Sequence, residues 1–122
     1  MIHTDVTASW VYEHYLAYLF ICIADVEAIL SIEQLENVRK RVFKNFDSDR
    51  CSRLVQEVFR EYRSHTESER KAYIRDNVSR FLRTDNIRQR VINELSSVTS
   101  PDEDNLGQVM FRYIRKTINL SR

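Results

Sequence analysis

A chain of 122 residues fits one domain with one core, large enough to fold without disulfide or metal staples. Hydrophobic residues at 43% and charged residues at 30% exclude a chain too polar to collapse, and the near-balance of 19 Lys and Arg against 18 Asp and Glu gives a net charge of only +1. One Gly and one Pro exclude a strand-rich fold, which spends both residues on tight turns, so the expected class is all-α, with residues 1–122 forming a single helical domain.

The first expected helix covers about 7–25 and contains the apolar run 15–24, bracketed by His14 and Asp25. Ten residues are half of the ~20 needed to cross a bilayer, so the run predicts the central helix of a soluble bundle, buried on most faces, and no transmembrane segment. A secretory signal needs a basic start, whereas the first basic residue is Arg39 and Asp5 and Glu13 precede the run. Cys22 and Cys51 have no C-x-x-C spacing and read as reduced thiols of a cytoplasmic protein.

Ser31-Ile32-Glu33-Gln34 reads as a capping box that opens a second helix running to about Phe46, with Leu35, Val38, Val42, Phe43 and Phe46 as its apolar stripe. Asp47 or Ser48 can cap a third helix whose inner face is Leu54, Val55, Val58, Phe59 and Tyr62. Thr66-Glu67-Ser68-Glu69 is a further capping box, followed by Ile74, Val78, Phe81 and Leu82 on the inner side of a fourth. Thr84 or Asp85 restarts the chain as a fifth, carrying Ile87, Val91, Ile92, Leu95 and Val98. Ser100-Pro101-Asp102-Glu103 combines an N-cap, a proline at the first helical position and a capping Glu, and the sixth helix follows with Leu106, Val109, Met110, Tyr113, Ile114 and Ile118. Six short helices in this length predict a compact irregular bundle.

Charge is arranged in blocks. Residues 1–38 hold six acids and no Lys or Arg, whereas residues 39–90 hold fifteen Lys or Arg against eight acids. The basic middle is read first as a solvated face, with pairs at helical spacing such as Arg53 with Glu57. It can also dock an acidic protein partner; nucleic acid is the less favoured partner, since no recognition motif accompanies the arginines. No Gly-rich phosphate loop, H-E-x-x-H, G-x-S-x-G or Cys-His ligand set is present in the sequence, so an enzyme is not expected. His14 and Glu13 are adjacent on a helix and so about 100° apart, which predicts an interhelical hydrogen bond for His14 in place of a metal site.

The acids at helix ends are candidate ligands for a hard cation, Ca²⁺ or Mg²⁺: Asp25, Glu27, Glu33, Asp102 and Glu103. Glu33 and the Asp102-Glu103-Asp104 group are equally explained by the helix dipole, which favours acids in a first turn. Ile23-Ala24-Asp25 followed by Ser31-Ile32-Glu33-Gln34-Leu35 resembles the TerB-like family associated with tellurite resistance, in which an apolar helix ends in Ala-Asp-Gly and a Ser-x-Glu-Glu-apolar segment opens the next. Ser100-Pro101-Asp102-Glu103 is similar to the family's second copy of that pattern. The resemblance implies a compact helical domain of two related halves and a non-enzymatic stress-response or accessory role, with metal held by acids matching Asp25, Glu33 and Glu103. Val26 stands where the family has Gly, the loop to Ser31 is longer, and no Asp-Gly precedes Ser100. The expectation is therefore a TerB-like binding or regulatory module, and the alternative is a helical interaction domain with a basic docking face and no metal function.

Overall fold

A helix without a polar face has to be enclosed, and residues 15–23 are buried without a break. The structure, a computed structural model, describes residues 6–27, 40, 48–99 and 105–120. Among the described residues, a short 3-10 turn, η1 (Val6–Ser9), precedes five α-helices and no strand: α1 (Tyr12–Glu27), α2 (Ser48–Ser64), α3 (Glu67–Phe81), α4 (Asp85–Val98) and α5 (Leu106–Leu120). They form a compact bundle in which α1 touches the other four, most extensively α5 and α2. The apolar run of the sequence is thus the hub of an all-α fold.

The outer helices bury one stripe each, as their spacing predicts. Val55, Val58 and Tyr62 of α2 are buried with Leu54 and Phe59 packed against them; Ile74, Val78, Phe81 and the following Leu82 line the inner side of α3; Val91, Ile92 and Leu95 do so for α4. Rings fill the space between α1, α2 and α3. The Tyr18 and Tyr73 centroids are 4.5 Å apart, Tyr15 stacks on Phe81 at 5.0 Å, and Trp10 meets Tyr73 edge-on at 5.8 Å. Tyr15 satisfies its buried hydroxyl by donating to the Ile74 carbonyl at 2.8 Å.

Helix starts follow local chemistry. The Thr66 hydroxyl accepts from the Glu69 amide at 3.2 Å and the Glu69 carboxylate accepts from the Thr66 amide at 2.8 Å, a complete capping box. Of the two residues that could open α4, Thr84 is the N-cap and accepts from Ile87 N–H. α5 begins at Leu106, with the Asn105 side chain accepting from Gly107 N–H at 2.8 Å and its carbonyl from Val109 N–H at 3.2 Å. The expected start at Ser100 and Pro101 lies outside the described residues, as do the Ser31 box, Asp47 and the helix expected up to Phe46, Lys40 excepted.

Two packing expectations are corrected. The inner stripe of α5 is Gly107, Phe111, Ile114 and Ile118, whereas Leu106 and Val109 are 64% and 49% exposed. Packing against α1 selects the stripe at 107, 111, 114 and 118, and Leu106 and Val109 fall on the neighbouring face with Met110, Tyr113 and Leu120. Gly107 is the second residue of α5 and buried. Arg53 and Glu57 do not pair among the described residues; the Glu57 carboxylate instead accepts from Trp10 Nε1 at 3.3 Å and lies 3.9 Å from His14 Nε2.

Thr66→Ala and Thr84→Ala are each expected to cost about 1 kcal/mol in urea denaturation. Ile114→Ala is expected to cost about 2–5 kcal/mol, and Leu106→Ser to stay within about 0.5 kcal/mol of the parent. Comparable losses at Leu106 and Ile114 would contradict the face assigned to α5.

Candidate functional site

Asp25 lies in the last turn of α1, where the exposed carbonyl end of the helix disfavours an anion. Two neighbours offset that. The Tyr62 hydroxyl of α2 donates to Asp25 Oδ2 at 2.7 Å, and Arg70 Nη1 of α3 lies 3.8 Å from the same oxygen. Burial, reinforced by the bond to Asp25, pushes the Tyr62 phenol well above its usual range, so it acts as a donor and keeps its proton.

The position of Arg70 follows from the cap before it. The Thr66 box starts α3, whose first turn carries Arg70 back over α2. The Arg70 guanidinium carbon sits 3.8 Å from the Tyr62 ring centroid and Nε donates to the Tyr62 carbonyl at 3.1 Å. That carbonyl is in the last turn of α2 and also accepts from the His65 amide at 3.2 Å, so a cation shares the carbonyl end of the helix with its last amide donor.

These groups line one side of a cleft of about 290 Å³. Cys22, Ile74 and Met110 form its apolar part, and Glu67 and Lys71 complete the polar part with Asp25, Tyr62 and Arg70. Lys71 Nζ is 3.6 Å from Glu67 Oε1 and 5.4 Å from the Tyr113 ring centroid. The Cys22 thiol is pushed well above its usual range by burial, with Arg70 opposing, which makes it an inert wall.

Two further polar clusters tie α1 to its neighbours. His65, between α2 and α3, has Nδ1 2.8 Å from the Tyr18 hydroxyl and Nε2 3.4 Å from Glu61 Oε1. His14 stacks on Trp10 with centroids 5.3 Å apart, and its Nδ1 accepts from the Val11 amide at 3.2 Å. The interhelical hydrogen bond expected of His14 is replaced by this local one, with Glu57 at 3.9 Å across the helix pair. Burial holds the His14 pKa below its ordinary value, with Glu57 and Glu13 opposing.

Of the five candidate metal ligands, Asp25 is committed to Tyr62 and Arg70, and Glu27 closes the same helix. The two positions lie within α1 and not in a following loop, so they are about 200° apart around the axis. Glu33, Asp102 and Glu103 lie outside the described residues. Among the described residues no group of three or more His, Cys, Asp or Glu side chains could hold a metal ion. Sequence reasoning missed Tyr62 and Arg70 as partners of Asp25, separated from it by 37 and 45 positions. The single signal was the Thr66 box, which fixes the turn that carries Arg70. No described helix is long and apolar enough to cross a membrane. No protein-family model, curated protein or solved structure matches the chain.

The His14 shift has a definite sign. A depressed folded-state pKa means that the unfolded chain binds the proton more readily, so the stability is present above about pH 6.5 and lost as pH falls through the lowered native value. The melting temperature is expected to fall on acidification across that window, and His14→Phe, which keeps a ring against Trp10, is expected to flatten the fall. An unchanged slope in the variant would contradict the assignment.

Proposed function

We propose that the chain is a non-enzymatic binding or regulatory module of the TerB-like kind, one domain of about six helices, working through a surface that docks a partner and without an ion at Asp25. The observation that carries this reading is the occupation of Asp25 by its own protein. A cation approaching Oδ2 meets a phenol proton already bonded at 2.7 Å and a guanidinium at 3.8 Å. Ca²⁺ takes six to eight oxygen donors, and among the described residues Asp25 has only Oδ1 left to offer one. The resemblance at Ile23-Ala24-Asp25 and Ser31-Ile32-Glu33 supplies the family expectation, and Val26 at the family's Gly position agrees with loss of the ion.

A second reading, an interaction domain outside that family, is favoured by the outer face of α2. Arg53, Arg60 and Arg63 are exposed there within an arc of about 80°. Among the described residues Arg53 and Arg60 have no ion pair, and Arg63 lies over the Phe59 ring at 5.6 Å. Such a stripe suits an acidic protein surface.

Melting curves test both readings together. Millimolar Ca²⁺ or Mg²⁺ is expected to leave the melting temperature unchanged, whereas a poly-glutamate peptide is expected to raise it at low salt and to lose that effect in Arg53→Glu/Arg60→Glu. Stabilisation by micromolar Ca²⁺ that disappears in Asp25→Asn would overturn the ion-free reading, and an equal response of the double variant to poly-glutamate would overturn the basic docking face.

A further inference from the structure

The cleft beside Asp25 holds two acids, two bases and an apolar wall, and its charges are only loosely matched. Arg70 Nη1 is 3.8 Å from Asp25 and Lys71 Nζ is 3.6 Å from Glu67, both beyond hydrogen-bond length. Pairs of this length are ion pairs without a hydrogen bond between these atoms, so each base keeps N–H donors to offer a further group.

The bases and acids differ in how firmly they are held. Arg70 is fixed on three sides, by the Tyr62 ring, the Tyr62 carbonyl and Asp25, while among the described residues its Nη2 has no partner. A guanidinium immobilised in advance loses little freedom when it binds a carboxylate. Lys71 follows Arg70 in the chain and lines the same cleft with a side chain 46% exposed. For the opposite charge, Asp25 keeps Oδ1 without a partner among the described residues, and the Glu67 carboxylate is largely exposed. Met110, half-buried, offers a neutral surface to an aliphatic or thioether chain, with the buried Cys22 and Ile74 behind it.

From this arrangement we infer that the cleft binds a small zwitterion with an apolar side chain, of the class of the aliphatic α-amino acids: the carboxylate meets Arg70 and Lys71, the ammonium meets Glu67 and Oδ1 of Asp25, and the side chain lies on Met110. The volume of about 290 Å³ is at the small end for ligand sites, which suits a single amino acid. A simple anion would face Asp25 and Glu67, and a simple cation would face Arg70 and Lys71, so among charged ligands one carrying both charges avoids repulsion. The inference deepens the binding-module reading and rests on Asp25 being free of metal.

The test is a titration of the whole chain with L-leucine, followed through the methyl resonance of Met110, against isoamylamine and isocaproate, which each lack one of the two charges. Leucine is expected to shift the resonance saturably, and each analogue to bind about tenfold or more weakly. Lys71→Met alters an exposed position and Asp25→Asn retains an acceptor for Tyr62, so both variants are expected to stay folded and to lose about tenfold in leucine affinity. Absence of a saturable shift with leucine, equal binding of either analogue, or unchanged affinity in both variants would overturn the inference. None of these results bears on poly-glutamate docking, whereas a Ca²⁺ response lost in Asp25→Asn would remove the ion-free reading as well.

Discussion

The enclosure of α1 is the constraint on which the rest of the molecule depends. Residues 15–23 have no side that tolerates water, and each large apolar side chain transferred inward contributes about 1.5–3 kcal/mol. A single helix face cannot supply that shelter, so α2, α3, α4 and α5 are all drawn to the same axis. The tyrosines in the run add direction to the packing. Tyr15 has to find an acceptor and takes the Ile74 carbonyl; Tyr18 has to find a partner and takes His65. These bonds set where α3 and the turn before it can lie, in a way that apolar contact alone does not.

The cleft is a consequence of where that enclosure ends. Asp25 is the first acid after the run, and it emerges where α2 finishes and α3 begins. One turn therefore does several jobs. Thr66 and Glu69 cap α3, the cap places Arg70 over Tyr62, Arg70 covers a terminal carbonyl of α2, and Tyr62 and Arg70 together hold the carboxylate of α1. The same contacts that neutralise an unfavourable charge at the end of α1 leave Arg70 rigid beside an apolar wall, so a stabilising network and a recognition site share their atoms.

Much of this fold is legible in the sequence wherever the cause is local. The central helix follows from a run with no polar side, the start of α3 from Thr66 and Glu69 three residues apart, and the inner faces of α2, α3 and α4 from apolar spacing. The misses involve partners distant in the chain. Arg80 donates to the carbonyls of Thr7, Ala8 and Trp10 at 3.1, 2.8 and 2.8 Å, capping η1 from about seventy positions away, and nothing near Arg80 announces it. Glu57 has an arginine at the right helical spacing, yet the indole of Trp10 claims it, because the N–H of a buried indole needs an acceptor more than an exposed arginine needs a counter-ion. On α5 the sequence offers two adjacent apolar stripes, and spacing alone does not choose between them. Packing against α1 chooses, and it takes Gly107, Phe111, Ile114 and Ile118. Asp25 reads as a loop acid because the apolar run stops there, but the helix continues to Glu27, and charge compensation by Tyr62 and Arg70 is what lets it do so.

If α1 is the hub, its amides should open only when the whole domain unfolds. Native-state hydrogen exchange resolved by residue measures this directly. The backbone amides of residues 15–23 are expected to be the most slowly exchanging in the chain, with a protection free energy and denaturant dependence equal to those of global unfolding, while the first turns of α4 and α5 exchange through smaller openings. Exchange of the α1 amides by a partial opening that leaves α2 and α3 protected would contradict the central place given to this helix.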